Sequence, residues 1–271
     1  IEQPAGFVLD DTIYPVTIGA DGQVVEIEIV NRYVRGNIHL TKVDSEYPDN
    51  KLTGATFEVY KDSNANGKLD DGDELLGTLT EKEIGEYGMN DLFYGRYFVK
   101  ETKAPEGFIL DTGVYEVMID TNGKTYEVEN KAGVGFINDA MRGNLKIVKT
   151  SSDGKVKGFA FRITGANGYD IILETNDKGE IFIDGLRIGD YTISEVSNSA
   201  SSMYVIPADK KATVKLGSTT IVEMHNVLRD TPKTGDTTNL PLLYALAGLS
   251  AVGIAVCGVI GFKKKKKEDR N

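Results

Sequence analysis

Short runs of alternating apolar and polar residues fill positions 1–229, and most runs end at a cluster of Gly, Asn and Asp. Alternation with period two marks strands that bury one face. Such runs at close spacing, with turn residues between them, predict an all-β chain of small sandwiches. GNIHLTKVD (36–44) is representative: Ile38 and Leu40 share a face, and the next residue on that face is Lys42. GNLKIVKTS (143–151) repeats the arrangement with Leu145, Ile147 and Lys149. In YFVKE, Tyr97, Val99 and Glu101 share a face; in YTISE, Tyr191, Ile193 and Glu195 do. The last run carries Val222, Met224 and Asn226 on one face. The pattern therefore sends a lysine, a glutamate and an asparagine toward the same core from separate strands.

One stretch has no alternation. Leu240 to Phe262 is 23 residues without a charge, followed at once by five lysines. As a helix it would reach about 34 Å, enough to cross a bilayer core of about 30 Å. The lysines would keep the 263–271 tail in the cytoplasm and leave everything before the span outside.

Internal repeats organise the rest. APEGFILDTGVYEVMIDTNGKTYEVEN (104–130) echoes QPAGFVLDDTIYPVTIGADGQVVEIEIVN (3–31), and RGNIHLTKVD (35–44) echoes RGNLKIVKTS (142–151). The expected organisation is the C-terminal part of a truncated repeat at 1–35, complete repeats at 36–142 and 143–229, a motif and spacer at 230–239, the span at 240–262 and the basic tail at 263–271. Because Ile1 falls inside a repeat, the chain reads as the C-terminal part of a longer protein.

Charge narrows the partners. The chain carries −10, of which the last nine residues contribute +4, so everything before them carries −14. So acidic a surface excludes nucleic acid as the expected partner. The single cysteine, Cys257, lies in the apolar span, so no disulfide is expected to staple the repeats. His39 and His225 fall outside any Ser/His/Asp, Cys/His or zinc pattern, and no enzyme is expected.

Three polar side chains in a small apolar core would be costly as bystanders. As chemistry they are coherent. Burial lowers a lysine pKa and raises that of a glutamate. A neutral amine is a nucleophile, and a neutral carboxylic acid can hydrogen-bond a carboxamide and relay protons. The sets are Lys42 with Glu101, and Lys149 with Glu195 and Asn226. For Lys42 two acceptors remain. Asn138 lies five residues before Gly143, as Asn31 lies five before Gly36, whereas Asn130 follows Tyr126 and Val128 on one face. Spacing favours Asn138, with Asn130 as the alternative.

A second constellation is DSNANGKLDDGDE (62–74). Asp62, Asn64, Asn66, the Lys68 carbonyl, Asp70 and Asp73 stand at positions 1, 3, 5, 7, 9 and 12 of an EF-hand-like loop, with Gly67 at position 6. That order suits calcium. Position 12 is Asp rather than Glu, and an acidic turn is the plainer reading. No cofactor is otherwise required.

The repeats resemble the collagen-adhesin B-type (CnaB-like, prealbumin-like, SpaA-type) domains of Gram-positive adhesins and pilins. The carriers of the resemblance are the Lys-bearing first strand, Glu-Thr-Lys-Ala-Pro-Glu-Gly (101–107) and the closing Asn. It implies an intramolecular Lys–Asn isopeptide bond. The end of the chain resembles the sorting signal of Gram-positive surface proteins, with Thr231-Pro232-Lys233-Thr234-Gly235 departing from the usual leucine at its first position. It implies that a sortase cuts between Thr234 and Gly235 and joins Thr234 to a peptidoglycan precursor or another pilin subunit. The expected role is a wall-anchored extracellular stalk. Alternatives are a polymerised pilin or a module that binds a host ligand itself. Tyr47-Pro48-Asp49-Asn50-Lys51 does not match a Tyr-Pro-Lys pilin motif.

Overall fold

The computed structural model describes residues 3–230. The motif at 231–235, the apolar run 240–262 and the 263–271 tail lie outside the described residues. Among the described residues, apart from a single 3₁₀ turn at Ala166–Gly168, every regular element is a strand. The strands fall into two units.

The middle unit contains β1 (Arg35–Asp44), β2 (Thr56–Lys61), β3 (Glu74–Thr78), β4 (Thr80–Glu83), β5 (Glu86–Phe93), β6 (Gly95–Lys103), β7 (Val114–Ile119), β8 (Thr125–Glu127) and β9 (Phe136–Asn138). One sheet runs β4-β5-β1-β8, with β9 also on β1; the other runs β3-β2-β6-β7. The third unit contains β10 (Arg142–Ser151), β11 (Ala160–Thr164), β12 (Asp170–Glu174), β13 (Glu180–Arg187), β14 (Gly189–Val196), β15 (Tyr204–Val205), β16 (Lys210–Val214) and β17 (Thr219–Leu228). Its sheets run β13-β10-β17-β15 and β12-β11-β14-β16. Inward residues of both sheets make one core per unit: Ile38, Leu40, Phe57, Val99 and Phe136 in the middle unit, and Leu145, Ile147, Phe161, Ile193 and Met224 in the third.

In both units the first and last strands lie side by side and parallel. β1 pairs with β8 and β9, and β10 pairs with β17. The last strand is continuous in the third unit but broken in the middle one. There the chain leaves the sheet after Val128, turns through Gly133 and Gly135, both at positive φ, and returns as β9.

The repeated Arg-Gly-Asn has a structural reason. A bulge in the neighbouring strand leaves one residue at positive φ, Asp91 in β5 and Gly185 in β13. Asn37 Oδ1 accepts the Asp91 N–H at 3.1 Å, and Asn144 Oδ1 accepts the Gly185 N–H at 3.1 Å. Arg35 and Arg142 donate to the carbonyls of the same two residues. The glycine between them admits a loop backbone: a Cβ at Gly143 would lie 2.1 Å from the Lys215 carbonyl. The motif locks the start of the first strand to its bulged neighbour.

Residues 3–34 repeat the local contacts of 104–141. Val8 N–H donates to the Arg32 carbonyl as Ile109 N–H does to that of Asp139. Tyr14 donates to Asp10 at 2.6 Å as Tyr115 does to Asp111 at 2.8 Å. Yet residues 8–31 form no strand, and Val16, Ile18, Ile27 and Ile29 are exposed where Val117, Ile119, Val128 and Phe136 are buried. Strands need partners, and among the described residues none pairs with this segment.

The units are joined through backbone. Val34 N–H donates to the Gly6 carbonyl and its carbonyl accepts from Tyr94 N–H, at 2.8 and 3.0 Å; Met141 does the same with Gly107 and Ile188 at the same two distances.

Candidate functional site

Strand alternation brings the expected side chains together. Lys42, Glu101 and Asn138 are 0, 0 and 3% exposed; Lys149, Glu195 and Asn226 are 1, 7 and 0% exposed. Lys42 is delivered by β1, Glu101 by β6 of the opposite sheet and Asn138 by β9. Lys149, Glu195 and Asn226 come from β10, β14 and β17.

The asparagine–glutamate contact recurs in the two units, while the two lysines donate to different carbonyls. Asn138 Nδ2 donates to Glu101 Oε2 at 2.8 Å, and Asn226 Nδ2 donates to Glu195 Oε1 at 2.6 Å. Lys42 Nζ donates to the Phe136 carbonyl at 3.0 Å, and Lys149 Nζ to the Thr150 carbonyl. Aromatic rings enclose the amines: Lys42 Nζ is 5.5 Å from the centroid of Phe136, and Lys149 Nζ is 4.0 Å from that of Phe159. The same atoms are left over in both units. Glu101 Oε1, Asn138 Oδ1, Glu195 Oε2 and Asn226 Oδ1 are buried without a hydrogen-bond partner.

Burial sets the electrostatics. It draws the Lys42 pKa down to about 8, against the upward pull of Glu101, Asp111 and Asp44. It lowers Lys149 likewise, against Glu195 and Asp153. It raises Glu101 and Glu195, opposed first by the hydrogen bonds from Asn138 and Asn226. Each shift favours the uncharged partner of a lysine–glutamate pair.

Asn130 stands elsewhere. It is half-buried, its Nδ2 donates to Asp111 Oδ2 and the Ile137 carbonyl, and its Oδ1 accepts Ile137 N–H at 2.6 Å. It fixes the residue next to Asn138. Register makes Asn138 the counterpart of Asn226: Asp44 pairs with Asn138 and Ser151 with Asn226, each two residues beyond the lysine.

The loop at 62–73 closes on itself. Asp62 accepts the N–H groups of Asn66 and Gly67, Asp73 accepts those of Ser63 and Asp70, and Asp70 accepts the Asn64 and Asn66 amides. The Lys68 N–H donates to Asn66 Oδ1. Among the described residues no group of three or more His, Cys, Asp or Glu is arranged to hold a metal ion. His39 lies between Glu86 and Glu127 on the outer face, and His225 contacts Thr150.

Two sandwiches in tandem, each closed by parallel end strands and each burying one Lys-Glu-Asn set, define an array of prealbumin-like domains. The chain belongs to the SpaA family of prealbumin-like fold domains, which matches residues 36–132 and 143–227. It is 26% identical over 194 residues to the trypsin-resistant surface T6 protein of Streptococcus pyogenes, covering 60% of this chain and 34% of that one. The chain thus spans about a third of the length of this curated relative. Among solved structures, the TIE protein of Bacillus anthracis superposes with a TM-score of 0.63 at 25% identity, over 83% of this chain and 40% of that one. The minor pilin GBS52 of Streptococcus agalactiae is similar over 73% of this chain and 98% of its own, at 19% identity and a looser TM-score of 0.34. The relatives are Gram-positive surface and pilin proteins.

Proposed function

We propose that each unit closes with a Lys–Asn isopeptide bond, Lys42 to Asn138 and Lys149 to Asn226, and that the chain is the load-bearing stalk of a wall-anchored surface protein. The observation that carries the reading is the repeated pair of orphan oxygens. One proton on each glutamate satisfies both. Glu–OH then donates to Asn Oδ1 while Asn Nδ2 donates to the other carboxyl oxygen, and the polarised carboxamide faces a neutral amine. Nζ bonds to Cγ, the Cγ–Nδ2 bond breaks, and ammonia leaves with a proton relayed by the glutamate.

The bond joins the first strand to the last, so tension entering one leaves by the other. It also closes a loop of roughly 80–100 residues, which by analogy with disulfides stabilises the fold by about 4–5 kcal/mol. An amide, unlike a disulfide, resists reduction. Intact-mass measurement tests this directly: the chain should weigh two ammonia molecules less than the sum of its residues. A full-sum mass ends the reading.

The anchoring half rests on sequence. Thr231 to Gly235, the apolar run and the lysines suit a sortase that transfers Thr234 to a peptidoglycan precursor. Changing Thr234 and Gly235 should release the protein into the medium; wall retention would refute it. The pilin relatives favour a second reading, in which Thr234 is joined to another subunit. Ladders of sodium dodecyl sulfate-stable polymer on the cell surface would select it. Calcium at 62–73 is a separate proposal, supported by the gathering of five oxygen-bearing side chains around Gly67.

A further inference from the structure

Arg187, the last residue of β13, reaches from the third unit into the middle one. Its Nη1 and Nη2 grip Asp44 Oδ2 and Oδ1 at 2.5 and 2.8 Å, and its Nε and Nη2 donate to Glu46 Oε2 at 3.0 and 2.6 Å. Asp44 is buried and Arg187 half-buried, with side-chain exposures of 2% and 15%. The guanidinium lies 4.9 Å from the Tyr47 ring centroid.

Asp44 is not an ordinary anchor. It follows Lys42 by two residues on the inward face of β1 and lies opposite Asn138. A buried carboxylate that loses its cation takes another or gives up its charge. The cation on its own strand face is the Lys42 ammonium. An ammonium held by one more carboxylate keeps its proton and cannot attack a carbonyl. In the third unit a hydroxyl takes that place: Ser151 stands opposite Asn226 and donates to Asp153 and the Lys155 carbonyl.

We infer that Arg187 is a positioning residue for the middle unit's cross-link: by gripping Asp44 it keeps that carboxylate off Lys42, so that condensation of Lys42 with Asn138 depends on the docked third unit. The inference rests on the isopeptide reading above. The step is unchanged: Nζ–Cγ forms, Cγ–Nδ2 breaks, ammonia departs, Glu101 returns to its starting form, and Arg187 gains and loses nothing. The groups facing the amine are Glu101 from β6, Asp111 from the β6–β7 connection and Asp44 from β1, with the Phe136 carbonyl from β9. The consequence is an order of assembly, in which the middle unit locks faster once its neighbour is folded and seated.

The test follows both bonds in the full chain after cell-free synthesis, by peptide mapping and mass at timed intervals. Wild type, Arg187→Ala and Asp44→Ser/Arg187→Ala are compared. A rise of one in the amine's pKa cuts its neutral fraction about tenfold. The Arg187→Ala chain should therefore form the middle bond about tenfold more slowly near neutral pH, with the deficit closing as pH is raised toward 10. The Lys149–Asn226 bond, an internal control for folding, should form at the wild-type rate. The double variant should recover the wild-type rate in the middle unit. Unchanged kinetics in Arg187→Ala overturn the inference, as does a double variant as slow as the single one. A wild-type chain that loses no ammonia instead overturns the isopeptide reading on which it rests.

Discussion

Asp44 lies opposite Asn138 across the parallel pairing of β1 with β9, two residues beyond Lys42. In the proposed bond the amine would therefore reach its carboxamide diagonally, along the strand rather than straight across. Ser151 and Asn226 stand in the same relation to Lys149. Had β8 run on without leaving the sheet, Asn130 would fall opposite Lys42 itself, since Glu127 is opposite His39. That is not the place Asn226 occupies.

Asn138→Ala should therefore abolish the ammonia loss of the middle unit and leave the third unit's intact. Asn130→Ala should slow the middle bond without abolishing it, because Asn130 holds Ile137 and Asp111 rather than supplying the acceptor. Peptide mapping separates the cases, and a cross-link found at Asn130 would reverse the assignment.

The Asn138→Ala chain also exposes the cost of the buried amine. Lys42 has a folded pKa of about 8 against an ordinary 10.5. Below pH 8 the lysine is protonated whether folded or not, and the folded state bears the full cost of a buried ammonium. Between about 8 and 10.5 the unfolded chain binds more protons, so stability rises with pH. Above that window the cost is gone. Relative to an Asn138→Ala/Lys42→Met control, the urea midpoint of the middle unit should climb over this range; a constant difference would mean an amine that meets water.

Gly143→Ala should destabilise the third unit more than Gly36→Ala does the middle one. The new methyl would lie 2.1 Å from the Lys215 carbonyl, whereas at Gly36 the nearest atom is Ile119 Cγ2 at 2.9 Å. Overpacking of this kind costs about 1–3 kcal/mol. Urea denaturation of chains that also carry Asn138→Ala and Asn226→Ala reads it without the cross-links, and equal midpoints would contradict it.

Calcium is expected to raise the melting temperature of the middle unit and to do so less in an Asp62→Asn chain. To bind, the ion must displace the Asn64 and Asn66 amides from Asp70. Calorimetry that records no heat on calcium addition removes the site.

Much of the site was legible because alternation reports which face of a strand is buried: Lys42, Glu101, Lys149, Glu195 and Asn226, all marked inward by it, are buried. Register was not legible. The choice between Asn130 and Asn138 turns on an excursion through two glycines at positive φ, which alternation cannot register. Arg187 gave no signal either: its partner Asp44 is 143 positions away in sequence, and a lone arginine at a strand end reads as a solvated charge. Residues 8–31 show the converse. Their alternation is strong, yet a strand exists only when a neighbour supplies the other half of its hydrogen bonds.

The junctions made by Val34 and Met141 use only main-chain atoms, and so demand almost nothing of the side chains around them. Such a joint can be copied with its module and will fit the copy. Lengthening the array by duplication then needs no new recognition surface, and side chains at each seam, an aromatic cluster of Tyr33 and Phe93 at one and the Arg187 fork at the other, are free to diverge into local instructions.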